Sequence, residues 1–255
     1  MVVGLAKIRN EEHIIGKTLD NWQQYCDGGF YIYDDCSTDR TVEICKAHPN
    51  VREVLCSDLM DPDRQRAEWY NRQILLQSAR RFMGPDDWVL YTDADEFLYK
   101  FDASILDNPG APPCIAAPQY DLYITPEDAD GHYSERRWVG AEYEIVPFFY
   151  RNRFLDGWHK ADQRNAMLRI PMQMPPLLGV SLHLGKGISP KHFDAKCAYY
   201  TDVFGSKYAD KWEKRKGQGI REDFTSNFGT KLVLWQDVLD GKVETWHRDH
   251  VAIVD

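Results

Sequence analysis

Four short strand-like runs, residues 2–6, 30–33, 51–55 and 88–91, alternate with three stretches of helical spacing. No other feature constrains the chain as much. Ile15, Leu19 and Trp22 share one helical face, which Asp27-Gly28-Gly29 ends. Ser37-Thr38-Asp39 supplies an N-cap and an acidic first turn for a helix through about Cys45. Asp61-Pro62 opens a long helix with Ala67, Tyr70, Ile74 and Phe82 on one stripe, stopping at Gly84-Pro85. Strand, helix, strand in this rhythm predicts a parallel sheet with right-handed crossovers. The predicted class is α/β, a Rossmann-like, mostly parallel sheet with helices on both faces.

The fourth run carries the chemistry. Trp88 to Tyr91 is apolar without alternation, as a strand covered on both faces is, and Asp93, Asp95 and Glu96 follow directly. Open α/β sheets bind ligands outside the carboxyl ends of their strands. Carboxylates there are placed to hold a hard cation and the phosphate it carries. Asp93 and Asp95 fall on the same side of the continuing chain. The competing reading is a solvated acidic turn.

Length suits one large α/β domain, 1–255, with a ligand-binding half at 1–100 and a second half at 101–255. A net charge of −9 argues against a nucleic-acid partner, which would need a basic face. No apolar run reaches the length of a membrane span, so no transmembrane segment is expected, though peripheral membrane association stays open. The six cysteines form no Cys-x-x-Cys pair, and buried free thiols in a reducing, cytoplasmic setting are expected. Neither Gly-x-Gly-x-x-Gly nor a phosphate-loop Gly-Lys-Ser/Thr occurs.

Beyond Phe101 prolines cluster and connections lengthen. Residues 114–124, 144–151, 166–170 and 179–184 read as strands, the last carrying His183; 190–204 and 230–239 read as helices. A charged, glycine-punctuated segment, 211–223, lies between them.

Three motifs in register resemble the family-2-like glycosyltransferases with the GT-A fold. The first strand runs into Arg9-Asn10-Glu11-Glu12, similar to that family's Asn-Glu motif. The second ends in Asp34-Asp35-Cys36-Ser37-Thr38-Asp39-Arg40-Thr41, close to Asp-Asp-Gly-Ser-Thr-Asp-Gly-Thr, with Cys36 and Arg40 where glycines are usual. The fourth ends in Asp93-Ala94-Asp95, an Asp-x-Asp. More loosely, Gly157-Trp158-His159 and Leu182-His183-Leu184-Gly185 resemble paired His motifs of some members.

The resemblance implies a GT-A fold with an irregular acceptor-side second half, and transfer of one sugar from a nucleoside-diphosphate sugar to a glycan or glycoconjugate acceptor. It implies that Asp35 accepts from a base N–H, which favours a UDP-sugar, with Asn10 in the same pocket. Capping of the following helix is the rival role for Asp35. Arg9 stacks on the base or pairs with phosphate, unless it is simply an exposed arginine at a strand end. Arg64 and Arg66, near the start of the long helix, are placed to approach the diphosphate, and surface solvation is their alternative.

Asp95 is the leading metal ligand, with Asp93 on metal or ribose and His183 third; Mg²⁺ or Mn²⁺ suits such a set. For His183, packing within its strand competes with ligation. An inverting transfer needs a base for the acceptor hydroxyl. The family's Glu after the first His is replaced here by Lys160, which leaves Asp156 and His159 as the choice, with Asp162, Glu142, Glu144 and the Glu222–Asp223 pair also available. The Gln-x-x-Arg-Trp motif of processive synthases is absent.

Three other classes compete. Haloacid-dehalogenase-like phosphatases carry their Asp-x-Asp on the first strand, and an EF-hand loop needs Gly at the position of Leu98. A non-catalytic nucleotide-sugar or glycan-binding module would keep the donor fold and lose the base.

Overall fold

The computed structural model describes residues 1–160, 166–171, 175–203 and 206–243, without the side chains of 142–144, 203 and 206–208. In chain order the first elements are β1 (Val2–Ile8), α1 (Ile15–Trp22), β2 (Phe30–Asp34), α2 (Thr41–Ala47), β3 (Val51–Cys56), α3 (Arg64–Arg80), β4 (Trp88–Tyr91) and β5 (Glu96–Tyr99). There follow β6 (Cys114–Tyr123), β7 (Trp138–Arg151), β8 (Leu155–Trp158), β9 (Ala166–Leu168) and β10 (Val180–His183). The last are α4 (Pro190–Val203), α5 (Ser206–Glu213), β11 (Val233–Leu234) and α6 (Trp235–Leu239).

Two compact units result: Met1–Ala117 with Val146–Gly179, and Pro118–Ile145 with Val180–Asp255. In the first, β1 pairs in parallel with β2 and with β4, and β2 in parallel with β3. The end of β7 extends this sheet, antiparallel to β4 through Trp88↔Arg151 and Leu90↔Phe149. The α/β class with a mostly parallel sheet is therefore as predicted.

Parity decides what each face meets. Val2, Ala6, Ile8, Phe30, Ile32, Trp88 and Leu90 pack with Ile15, Leu19 and Trp22 of α1 and Cys45 of α2. Val3, Leu5, Tyr31, Tyr33, Val89 and Tyr91 pack on the other face with Leu75, Leu76 and Ala79 of α3 and Trp158 of β8. Helices thus cover both faces. Gly4 is required by close approach: a Cβ there would lie 2.3 Å from the Phe30 ring.

Several expectations are corrected. Tyr70 of α3 and Phe82 just beyond it are exposed, and the buried stripe of the helix is Arg64, Ala67, Asn71, Arg72, Leu75, Leu76, Ser78 and Ala79. Apolar residues mark that stripe only in its second half, because in its first half it meets charged strand ends. The helix starts at Arg64 and is capped by Asp63, whose carboxylate accepts from the Arg66 N–H at 2.9 Å. Neither Ser37 nor Thr38 caps α2; Asp39 Oδ1 takes the Thr41 N–H at 3.0 Å. Two of the six free thiols are not buried: Cys36 is half-buried and Cys56 exposed. Residues 230–239 form β11 and then the short α6, and the charged segment begins inside α5.

In the second unit β10 runs parallel to β6 with His183 opposite Asp121, and β11 is antiparallel to the start of β7. Among the described residues no helix is long and apolar enough to cross a membrane.

Candidate functional site

The carboxyl ends of β2, β1 and β4 lie side by side in the first unit, and their three motifs build one another. Beyond β1 the chain turns at Asn10, which has a left-handed φ of 53°. Its N–H donates to Ser37 Oγ at 2.9 Å and its Oδ1 accepts the Thr38 N–H at 2.8 Å. Glu11 N–H donates to Thr41 Oγ1 at 2.8 Å, and Glu12 accepts the Arg40 N–H at 3.1 Å. The Asn-Glu stretch and the Ser-Thr-Asp loop are thus laced together, each satisfying backbone groups of the other. Cys36 sits at φ 63°, which accounts for a glycine being favoured at this position. Arg9 lies half-buried at the same strand end.

Adjacent Asp34 and Asp35 take opposite faces. Asp34 Oδ2 accepts from the Ser37 N–H at 3.0 Å. Asp35 enters the α3 face and is 1% exposed. Its Oδ2 accepts from Lys7 Nζ at 2.9 Å and from Arg64 Nη2, while Oδ1 accepts from Arg64 Nη1 at 3.4 Å. It does not cap the following helix. Burial pushes the Asp35 carboxyl upward, but the hydrogen bond from Arg64 and the charge of Lys7 outweigh it and hold the group below the usual carboxylate range. A carboxylate has about four lone-pair positions, so acceptor capacity remains, chiefly on Oδ1.

From Asp35 a buried ladder of charge crosses to β4. Lys7 Nζ also donates to Glu68 Oε1 at 2.5 Å, Glu68 Oε2 pairs with Arg72 Nη2 at 3.1 Å, and Arg72 Nε donates to Tyr91 Oη at 2.6 Å. Burial raises the Tyr91 phenol to about 12 against the opposing pull of Arg72. The signal for this ladder was present in the sequence as parity: Lys7, Asp35 and Tyr91 all fall on the face that α3 covers. Lys7, Glu68 and Arg72 are nonetheless absent from the sequence-predicted set, and Arg64 rather than Arg66 reaches Asp35. Arg66 is held outside by Asp61, at 2.9 Å, on the exposed side of the helix.

After β4 the chain turns through Asp93-Ala94-Asp95. Buried Glu96 accepts the Asp93 N–H at 2.9 Å, and α1 clamps the same turn: Thr18 Oγ1 donates to the Ala94 carbonyl and Trp22 Nε1 to the Glu96 carbonyl at 2.6 Å. Asp95 is 3% exposed. Among the described residues no group of three or more His, Cys, Asp or Glu is arranged to hold a metal ion. Mg²⁺ is usually bound by one or two carboxylates together with waters and substrate phosphates. Asp93 and Asp95 suit that donor set.

In the second unit His183 Nδ1 lies 2.7 Å from Asp121 Oδ1, and Asp121 Oδ2 accepts from Lys186. Such a carboxylate fixes which imidazole nitrogen is presented outward.

Asp156 is not gathered with these groups. It is exposed on β8, 3.2 Å from Arg169 Nε, next to Leu155, whose carbonyl accepts from Arg80. Arg80 ends α3 and Arg64 begins it, about 24 Å apart along the axis at 1.5 Å per residue. Gly157 makes no turn; it lies within β8, where a Cβ would meet the Gln73 side chain at 2.7 Å. His159 is exposed and follows Trp158, whose carbonyl accepts from Trp69 Nε1 at 2.9 Å and Gln73 Nε2 at 3.2 Å. That places His159 beside the first half of α3. Of the other base candidates, Asp223 accepts from the Thr225 hydroxyl at 2.5 Å. Asp162 and the side chains of Glu142 and Glu144 lie outside the described residues.

No family model matches the sequence, and no curated protein matches it. Solved structures are similar at low identity. S. aureus TarS is 14% identical, with a TM-score of 0.41, over 83% of this chain and 42% of that one. TarS 1–349 in complex with UDP is 14% identical at 0.41, over 83% of this chain and 69% of that one. Glucosyl-3-phosphoglycerate synthase from Mycobacterium tuberculosis, in complex with Mn²⁺, UDP and glucosyl-3-phosphoglycerate, is 17% identical at 0.28, over 51% of this chain and 46% of that one. This chain therefore spans under half the length of the full TarS chain. At such identities and scores these likenesses carry no argument about activity.

Proposed function

We propose that the chain is a metal-dependent, inverting glycosyltransferase that moves one sugar from a nucleoside-diphosphate sugar, UDP favoured, to a hydroxyl of a glycan or glycoconjugate acceptor. The observation that carries this reading is the convergence of the Asn10, Asp35 and Asp93–Asp95 motifs at three adjacent strand ends, where α/β sheets bind ligands. Asp35, held ionised by Lys7 and Arg64, is the acceptor for a base N–H. Arg9 and Asn10 line the same strand end.

Asp93 and Asp95 would hold Mg²⁺ or Mn²⁺ together with waters and the donor's phosphates; His183, which belongs to the second unit and pairs with Asp121, is not retained as a ligand. Such an ion, when bound, would neutralise the charge of the departing diphosphate. The protein's own part is to hold the Asp-x-Asp turn rigid, which Thr18, Trp22 and Glu96 do. In the transfer the acceptor oxygen bonds to the anomeric carbon as the bond to the diphosphate oxygen breaks. The hydroxyl proton passes to a base, which we assign to His159. Asp156 lies at the far end of α3 and is not retained in that role.

Calorimetric titration of UDP with and without EDTA tests the reading. Binding should require the divalent ion and vanish in Asp95→Ala with the fold intact, and equal affinity in EDTA would sink the metal role. His159→Ala should lower kcat about 10²- to 10⁴-fold, the usual cost of losing a general base, while Asp156→Asn should leave it unchanged. NMR of the product should show the anomer opposite to that of the donor.

A further inference from the structure

We propose that Leu59 and Met60, on the loop from β3 to α3, are the wall on which the nucleobase of the donor stacks. The inference rests on the nucleotide-sugar reading above. It adds the groups that take the face of the base, where Asp35 takes its edge.

The loop is short and pinned at both ends. At its start the Ser57 N–H donates to the Asp34 carbonyl at 3.0 Å, Ser57 Oγ lies 2.7 Å from Tyr33 Oη, and the Ser57 carbonyl accepts from Cys36 Sγ at 3.3 Å. At its end the Asp61 carbonyl accepts from Arg64 Nη1 at 3.5 Å, the guanidinium that also meets Asp35. The Asp61 carboxylate takes the Asp63 N–H and Arg66, each at 2.9 Å. Between these anchors lie Asp58, Leu59 and Met60. At 3.8 Å per step, the Leu59 Cα stands within about 8 Å of either anchor. The pair is therefore held beside Asp35.

Their exposure calls for a partner. Among the described residues the large apolar side chains that face solvent stand singly along the chain, except here, where Leu59 is 86% exposed and Met60 38%. Single ones need no explanation, whereas two side by side at a ligand-binding strand end do.

Strand order tells which part of the ligand arrives there. Across the sheet it runs β3, β2, β1, β4. The Asp93–Asp95 turn, which takes the metal and phosphates in this reading, follows β4. The loop leaves β3, about 14 Å away at 4.8 Å per strand, and Asp35 follows β2 between them. A nucleoside diphosphate laid along these strand ends brings its base, not its phosphates, to Leu59 and Met60. A base is polar at its edge and apolar on its faces. Asn10, Ser37 and Thr38 bond to one another and offer no apolar surface; Leu59 and Met60 supply it. Arg9 Nη1 donates to Met60 Sδ, and a guanidinium and a thioether both pack well against an aromatic ring.

Calorimetry with UDP and with inorganic pyrophosphate, each with Mg²⁺, tests this on the full chain. The double variant Leu59→Ser, Met60→Ser should bind UDP about tenfold more weakly, the scale of partly burying such a side chain. It should bind pyrophosphate as the wild type does. Both residues are exposed, so these substitutions leave the fold intact. Exchanging the two, Leu59→Met with Met60→Leu, keeps the apolar surface and should hold UDP affinity within about twofold. If the serine variant binds UDP like the wild type, or loses UDP and pyrophosphate equally, the wall is wrong although the nucleotide reading stands. An exchanged pair that loses as much as the serines would assign the effect to loop conformation and overturn the inference in the same way. If wild-type protein binds no UDP in the presence of Mg²⁺, the nucleotide reading fails and takes this inference with it.

Discussion

Asp35 shows how a single side chain takes its electrostatic state from neighbours distant in the chain. In the sequence it is one of two adjacent aspartates. In the fold, strand parity sends it alone to the α3 face, between Lys7 and Arg64. Because its folded pKa lies below the unfolded value, about 3.9 for Asp, its contribution to stability is complete above that pH. The contribution disappears as pH falls through the depressed folded value. Urea unfolding of wild type and Asp35→Asn across pH 7 to 2.5 checks this. The gap between them should be constant near neutrality and close only at the acid end, and a gap that widens toward acid would contradict the sign. Parity was legible at this residue, since Lys7, Asp35 and Tyr91 can be counted onto one face. The identity of the partners was not, because the i, i+4 run Arg64, Glu68, Arg72 reads in isolation as a solvated helix face.

At the scale of elements, α1 does for β4 what α3 does for β2. Its buried Thr18 hydroxyl reaches the Ala94 carbonyl, Trp22 reaches Glu96, and Asn21 holds Leu98 through its N–H at 2.8 Å and its carbonyl at 3.2 Å. The acidic turn is therefore held by an element seventy-odd residues earlier in the chain. Thr18→Val keeps the shape but leaves the Ala94 carbonyl buried without this donor, a loss of about 1–3 kcal/mol. Denaturant unfolding should show that loss, and hydrogen exchange should rise at residues 93–98 before it rises in β1. Exchange rising evenly along the sheet would mean that the bond supports the fold and not this turn.

At the scale of the whole molecule, the first compact unit is assembled from two separated stretches of chain. The fragment 1–117 ends before the strand that pairs with β4 and before Trp158, whose ring lies 4.8 Å from that of Tyr91. Alone it would expose a flat apolar edge at Trp88–Tyr91, the kind of edge that aggregates. Size-exclusion and circular dichroism should find it associated or unfolded, whereas a folded monomeric 1–117 would show that β7 and β8 are dispensable. What the sequence by itself determined is the order and type of the elements through β4 and the strand ends at which the three polar motifs sit. Hydrophobic period and capping are local, and a local signal survives in one dimension. Tertiary structure alone decided that Tyr70 and Phe82 face outward, that Arg64 and Glu68 face inward, and that Asp156 pairs with Arg169. Those outcomes depend on which surface α3 meets, and buried ion pairs join residues with no periodic relation along the chain.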